Sequence, residues 1–264
     1  MVDPMERGER EVSRVTSRIP RVIHYIWFGG NPKPELVVRC IDSWRRFMPD
    51  WEIIEWNESN YDVSKSPYIA GAYAARMWAF ASDYARFDIL GSHGGIYLDT
   101  DVELLRPILD DVLANEAFAG MESGGAVNPG LIFGCTPSLG LLGEIMDSYE
   151  TSTFDSGQPG GPQTVNRRVT NILLEHGFRQ EDVLQTVAGL TIYPSEFFCG
   201  YDQDVHRQRV TPNTISVHHY AHTWGAPADR ARSRLQRALY SLVGDSNYRK
   251  LLYAKRRLLG VRGS

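Results

Sequence analysis

Apolar and polar positions along the chain follow two periods that take turns. Val22-Ile23-His24-Tyr25-Ile26-Trp27-Phe28 is a β-branched and aromatic run closed by Gly29-Gly30. It predicts the buried first strand of a parallel sheet, in which His24 is structural. Asn31 to Pro34 has turn composition. From Glu35 to Phe47 the period becomes helical, with Leu36, Val37, Cys40, Ile41 and Trp44 on one side. Pro49-Asp50 ends that helix, and Trp51 to Trp56 predicts a second strand. Strand, helix, strand in this order is the nucleotide-binding half of a Rossmann-like sheet. Tyr68 to Leu90 is rich in alanine and predicts one long helix; the pattern leaves Arg76 and Trp78 open between core and rim. Further on, Ile96 to Leu98 and Ala117 to Gly120 read as strands, with a loop and a short helix between them over Val102 to Leu113. Leu139 to Tyr149 reads as a helix, as does Thr164 to His176, which Gly177 closes. Val187 to Tyr193 reads as a strand.

The chemistry gathers at Gly94-Gly95-Ile96-Tyr97-Leu98-Asp99-Thr100-Asp101. Two carboxylates stand either side of Thr100, where the strand should end. Aspartates are poor strand residues, and an unpaired buried carboxylate is costly. Two of them at a strand's end call for a cation, and carboxylate oxygens suit hard divalent metals such as Mg2+ or Mn2+. Open α/β sheets bind ligands beyond the carboxyl ends of their strands, where this pair would sit. A bare Asp-x-Asp is more often a surface turn. The context changes that.

Upstream lies Ala81-Ser82-Asp83-Tyr84-Ala85-Arg86-Phe87-Asp88-Ile89-Leu90, then Gly91, His93 and the double glycine. Ser-Asp-x-x-Arg, an apolar run and Gly-Gly-x-Tyr-x-Asp-x-Asp together resemble the core of the family-32 glycosyltransferases and, more distantly, of the glucosylating clostridial toxins. The resemblance runs from Ile19-Pro20 to about Trp224. It implies an α/β fold of the GT-A type: a Rossmann-like, mostly parallel sheet flanked by helices. It also implies a donor site. Trp27 would stack on the nucleobase, with Phe28 and Gly29 beside it. Asp83 and Arg86, at i and i+3 on one helix face, would contact the ribose or the donor-sugar hydroxyls; without the resemblance they are an intrahelical ion pair. Tyr97, Asp99, Thr100 and Asp101 would complete the donor and metal site. Asn128 reads equally as a sugar neighbour or as a turn former ahead of Pro129. Asp155 and Gln163 would touch sugar on the acceptor side.

Near the end, His218-His219-Tyr220-Ala221-His222-Thr223-Trp224 places three histidines within five positions. In strand geometry His218, Tyr220 and His222 share a face, with His219 opposite. The resemblance nevertheless implies that His219 or His222 joins Asp99 and Asp101 on the metal, and that Trp224 touches the donor diphosphate. Imidazole with carboxylate suits Mn2+ better than Mg2+.

Composition bounds the rest. The chain has 264 residues, 42% hydrophobic and 23% charged, with net charge −4. That is an ordinary globular composition and gives no global sign of nucleic-acid binding. Cys40, Cys135 and Cys199 are too few and too scattered for zinc or a disulfide framework, so a cytoplasmic home is expected. Residues 1–18 read as a flexible leader, 19–228 as the transferase domain, and 229–264 as a basic amphipathic helical tail. That tail either covers the core or attaches to an anionic inner membrane surface.

The function expected is a metal-dependent, retaining transfer of a sugar from a nucleoside-diphosphate sugar, a UDP-sugar ahead of a GDP-sugar. The acceptor would be a glycan or a lipid-linked glycan, by default in bacterial surface polysaccharide synthesis. A non-catalytic sugar-nucleotide or glycan-binding module is the alternative; it would keep Trp27 but has no need of both aspartates. An aspartate-dependent phosphatase ranks lower, since its Asp-x-Asp belongs on a first strand.

Overall fold

In a computed structural model the described residues are 18–137, 139–157, 161–202 and 207–221. The leader up to residue 17, His222, Trp224 and the whole basic tail therefore lie outside the described residues, and with them the tail's expected membrane contact.

Strand β1 (Val22–Ile26) leads to helix α1 (Glu35–Phe47) and strand β2 (Glu52–Trp56). Helices α2 (Pro67–Ala74) and α3 (Trp78–His93) precede β3 (Gly95–Tyr97), β4 (Val102–Leu104) and the short α4 (Asp110–Leu113). Then come β5 (Ala117–Met121), β6 (Val127–Cys135), α5 (Gly140–Glu150) and α6 (Val165–Glu175). The chain closes with β7 (Gln185–Val187), β8 (Leu190–Tyr193), α7 (Ser195–Phe198), β9 (Tyr201–Asp202), β10 (Arg207–Gln208) and β11 (Ser216–His218).

Among the described residues the main sheet has seven strands in the order β2-β1-β3-β6-β5-β8-β7. β2, β1, β3, β5 and β8 run one way; β6 and β7 run against them. Reversed β6 lies between β3 and β5, so its first residues meet the last residues of its neighbours. That geometry builds the site below. The β7–β8 turn holds Ala188 and Gly189 at positive φ, the backbone a two-residue I′ hairpin requires.

Side-chain alternation buries both faces of the sheet. Ile26, Tyr97, Ala119 and Phe133 face a core shared with α2, α3, α5 and α6. Ile23, Tyr25, Ile96, Leu98 and Phe118 face a second core with α1, α4 and α7. Helix α1 buries Val37, Cys40, Ile41 and Trp44, the i, i+3, i+4, i+7 stripe of a core-facing helix. It also grips the strand after the paired aspartates. The Trp44 indole donates to the Val102 carbonyl at 2.8 Å, and the Ser43 hydroxyl accepts from the Leu104 amide at 2.9 Å.

The single long helix expected over Tyr68–Leu90 is two helices. Arg76 has φ +57, Met77 N–H donates to Ala72 O, and Arg76 N–H to Tyr73 O. This is a Schellman stop, ordinarily made by glycine. It turns the chain so that Trp78 starts α3 beside the cleft rather than continuing α2. No helix among the described residues is long and apolar enough to cross a membrane.

Candidate active site

At the carboxyl end of β1 and β3 a cleft of about 450 Å³ is lined by Trp27, Phe28, Trp78, Asp83, Arg86, Tyr97, Asp99, Thr100, Asp101, Glu122, Asn128, His218 and Tyr220, among others. Its walls come from stretches that are far apart in the chain.

Trp27 follows the last residue of β1. Its amide donates to Trp56 O, and its half-buried indole N–H donates to Asn31 O at 2.7 Å, which fixes the ring. Phe28 packs on Tyr61 and Tyr73. Gly29 sits at φ +91, and a Cβ there would meet the Trp78 indole at 2.8 Å. Only glycine lets the loop lie on that ring.

The α3 pair is an ion pair in a dry place. Arg86 Nη2 lies 2.6 Å from Asp83 Oδ1 and 3.4 Å from Asp99 Oδ1, and Arg86 is 2% exposed. Its guanidinium covers the Tyr97 ring at 4.6 Å, and the Tyr97 hydroxyl donates to Asp99 Oδ1 at 3.0 Å. Burial pushes Asp83 up to about 6 against the pull of Arg86. Arg86 loses by burial but gains more from Tyr97, Asp99 and Asp83, and is held firmly protonated. One guanidinium nitrogen, Nη1, is buried without a partner.

Asp99 also meets β6. Its amide donates to Gly130 O, and a Cβ on Gly130 would overlap Asp99 Oδ2. The Asn128 side chain accepts from Gly130 N at 2.8 Å and donates to Glu122 Oε1 at 2.7 Å.

Asp101 is tied to the end of β11. Its Oδ1 lies 3.0 Å from His218 Nε2, and its Oδ2 accepts from the Ala221 amide at 2.8 Å. Burial works to raise Asp101, yet the imidazole and the amides bring it down to about 2. For His218, burial lowers and Asp101 raises; the carboxylate prevails and the imidazole is shifted up. One ligand atom each from Asp99, Asp101 and His218 lie within 4.8 Å of one another. Two carboxylates and an imidazole are a fitting donor set for Mn2+, and His218 Nδ1 has no protein partner.

The remaining expected positions fall in different places. His219, expected near the metal, points away: its Nε2 lies 2.7 Å from Glu103 Oε2, on the other side of the β11–β4 ladder. His218 is the histidine beside Asp99 and Asp101, on the face opposite His219 in strand alternation. His222 and Trp224 lie outside the described residues. Asp155 is exposed and closes a turn on Gly157 N. Neither it nor Gln163 lines the cleft; Thr164, Val165 and Asn166 do. Glu122 lines the cleft unanticipated, brought there by pairing distant in sequence, and Tyr220 lines it beside His218, the face that alternation gave it.

Electrostatics sharpen the picture. Among the described cleft residues Arg86 is the one permanent cation, against Asp83, Asp99, Asp101 and Glu122. Such a cleft repels a polyphosphate unless a metal ion sits between them.

Residues 34–119 match the family described as "Glycosyltransferase sugar-binding region containing DXD motif". Over this region the chain is similar to the DXD glycosyltransferases. The matched span holds Asp83, Arg86, Asp99 and Asp101, whereas Trp27, Glu122, Asn128 and His218 lie outside it. Inositol phosphoceramide mannosyltransferase 1 of Schizosaccharomyces pombe is 33% identical over 110 residues, 38% of this chain and 33% of that protein. Alpha-1,4-N-acetylglucosaminyltransferase of Homo sapiens is 26% identical over 222 residues, 79% of this chain and 60% of that one. This DXD chain thus spans between a third and three fifths of the length of these two curated relatives. A solved structure titled as galactosyltransferase LgtC in complex with donor and acceptor sugar analogs is 12% identical with TM-score 0.44, over 87% of this chain and 99% of that one.

Proposed function

We propose that the chain is a metal-dependent glycosyltransferase of the GT-A type that takes a sugar from a nucleoside-diphosphate donor and retains its anomeric configuration. The observation that carries this is the convergence of Asp99, Asp101 and His218 in the cleft that also holds Trp27. In this reading Trp27 offers its face to the base, an interaction of ~1–3 kcal/mol. Asp83 and Arg86 orient ribose or sugar hydroxyls through directional, charge-assisted hydrogen bonds. Asp99, Asp101 and His218 would hold a divalent cation, which would supply neutralisation of the charge that grows on the departing diphosphate. Asn128 and Gly130 keep Asp99 in place, and Arg86 adds a fixed positive charge behind it.

No carboxylate is singled out as a covalent nucleophile, which favours a front-face reaction. The acceptor oxygen bonds to the anomeric carbon as the bond to the diphosphate oxygen breaks, and the acceptor proton leaves on the diphosphate. Trapping of a glycosylated side chain would contradict this. The acceptor is read as a glycan or a lipid-linked glycan; the yeast relative's name, with its inositol phosphoceramide, supports a lipid-borne one. UDP-sugars rank ahead of GDP-sugars, and synthesis of a surface polysaccharide is the setting carried by the resemblance alone.

The test is release of nucleoside diphosphate from a panel of UDP- and GDP-sugars, with Mn2+ and with chelator, alongside thermal stabilisation by the donors. Slow, Mn2+-dependent release from one donor supports the transferase. Binding without turnover points to a sugar-nucleotide binding module, and cleavage of simple phosphomonoesters to a phosphatase.

A further inference from the structure

Glu122 is the cleft carboxylate that the proposed function leaves without a task. It follows β5 directly and opens the turn to β6; its amide donates to Ala126 O across that turn. One carboxylate oxygen, Oε1, accepts from Asn128 Nδ2 at 2.7 Å and from the Tyr220 hydroxyl at 3.0 Å. Among the described residues no hydrogen bond is made to Oε2. The two donors tie Glu122 to both halves of the candidate metal set. Asn128 also holds the Gly130 amide beside Asp99. The Tyr220 ring packs edge-on against His218 at 4.0 Å. Tyr220 itself is at φ +46, a left-handed backbone that tyrosine rarely adopts. Strain of this kind persists where the surroundings over-determine it.

The sheet order says what part of a donor lies there. Trp27 is at the end of β1, Asp99 and Asp101 just past the end of β3, and Glu122 at the end of β5, with β6 between β3 and β5. Two strand spacings separate β3 from β5, about 9–10 Å. A nucleoside-diphosphate sugar is itself linear: base, ribose, two phosphates, sugar. With its base on Trp27 and its phosphates at the aspartates, its next group along the edge is the sugar.

We propose that Glu122 recognises the transferred sugar, with Oε1 locked by Asn128 and Tyr220 and Oε2 accepting a hydrogen bond from a sugar hydroxyl. The assignment rests on the transferase reading above. It makes Glu122 a specificity residue for the sugar, with no contact to base or phosphate.

The test compares wild type with Glu122→Gln. Glutamine keeps an oxygen for Asn128 and Tyr220 and puts an N–H₂ where the accepting oxygen stood. Both proteins are titrated in Mn2+ with UDP, GDP, UDP-glucose, UDP-galactose and GDP-mannose, and diphosphate release is measured. The expected result is unchanged affinity for the nucleoside diphosphates. Turnover of the preferred sugar should fall by about tenfold or more, the scale of a lost hydrogen bond to a charged group, and discrimination among sugars should shrink. Equal turnover and equal sugar preference in the two proteins would overturn the role of Glu122 while leaving the transferase reading intact. Wild type that binds neither UDP nor GDP with Mn2+ would overturn both.

Discussion

His218 Nε2 lies 3.0 Å from Asp101 Oδ1, while its sequence neighbour His219 turns to Glu103 at 2.7 Å. The two imidazoles leave the β11–β4 ladder in opposite directions, so only one of them can share a cation with the paired aspartates. Asp101→Asn and His218→Ala should each lower Mn2+ affinity by at least the ~10–100-fold that loss of an outer-shell partner costs. His219→Ala should leave it unchanged. Mn2+ titration by calorimetry decides; a larger effect at His219 than at His218 would contradict the assignment.

The same pair sets a pH dependence in metal-free protein. His218 is raised and Asp101 is brought down to about 2. Their mutual stabilisation is therefore complete between the unfolded values of about 3.9 and about 6.5. Above that window it fades as pH rises through the raised value of His218; below it, as pH falls through about 2. In chelator, the difference in urea midpoint between wild type and His218→Gln should follow this shape. Mn2+ affinity should climb with pH, because the imidazole must give up its proton to bind metal. A flat difference curve would contradict the coupling.

His24 predicts the opposite acid response. It is fully buried, its Nε2 is 3.0 Å from Gly94 O, and its Nδ1 accepts from the Trp56 indole at 3.1 Å. Burial chiefly, against the bond to Gly94, lowers it to about 4. The neutral ring is the one that fits, so stability is held above about pH 6.5 and drains as pH falls towards 4, by about 3 kcal/mol in all. Denaturant curves between pH 7 and 4 should show this slope in wild type and lose it in His24→Asn.

Gly130→Ala would drive a methyl group into Asp99 Oδ2. The aspartate must move or the strand must shift, and overpacking of this kind costs about 1–3 kcal/mol. Mn2+-dependent donor turnover should be lost well before the fold is, with the melting point lowered by only a few degrees. Retained turnover in Gly130→Ala would mean that Asp99 is not held where the chemistry needs it.

Trp27→Ala should weaken donor binding by ~1–3 kcal/mol, the value of one base–aromatic stack, and leave Mn2+ affinity as it was. Titrating UDP and inorganic pyrophosphate separates the two contributions: only UDP should respond.

Much of this architecture was legible in the residues, and the misses have physical reasons. Helix α1 was bounded by its own apolar stripe, and β5 by its small apolar run. The break between α2 and α3 was hidden because Arg76 occupies a left-handed stop where glycine or asparagine would have marked it. At the site, the resemblance implied that Asp83, Arg86, Asp99 and Asp101 act together, and the four line one cleft. Alternation along β11 separated His218 from His219, and the geometry follows alternation rather than the histidine the resemblance suggested. Glu122 carries no local signal for its meeting with Tyr220. They meet only because β6 runs backwards and β11 returns to β4, pairings that no window of sequence contains.

Reversed β6 also decides where this fold can vary. A strand aligned with its neighbours would present its final residues at the ligand edge and hide its first ones at the far side. Here the five-residue connection from Glu122 to Ala126 opens directly onto the cleft, with a cleft-lining residue at its start and Asn128 just past its end. Lengthening or shortening that connection would remodel the wall facing the ligand while the sheet, both cores and the paired aspartates stay as they are. It is the place where one scaffold could acquire a different preference without being rebuilt.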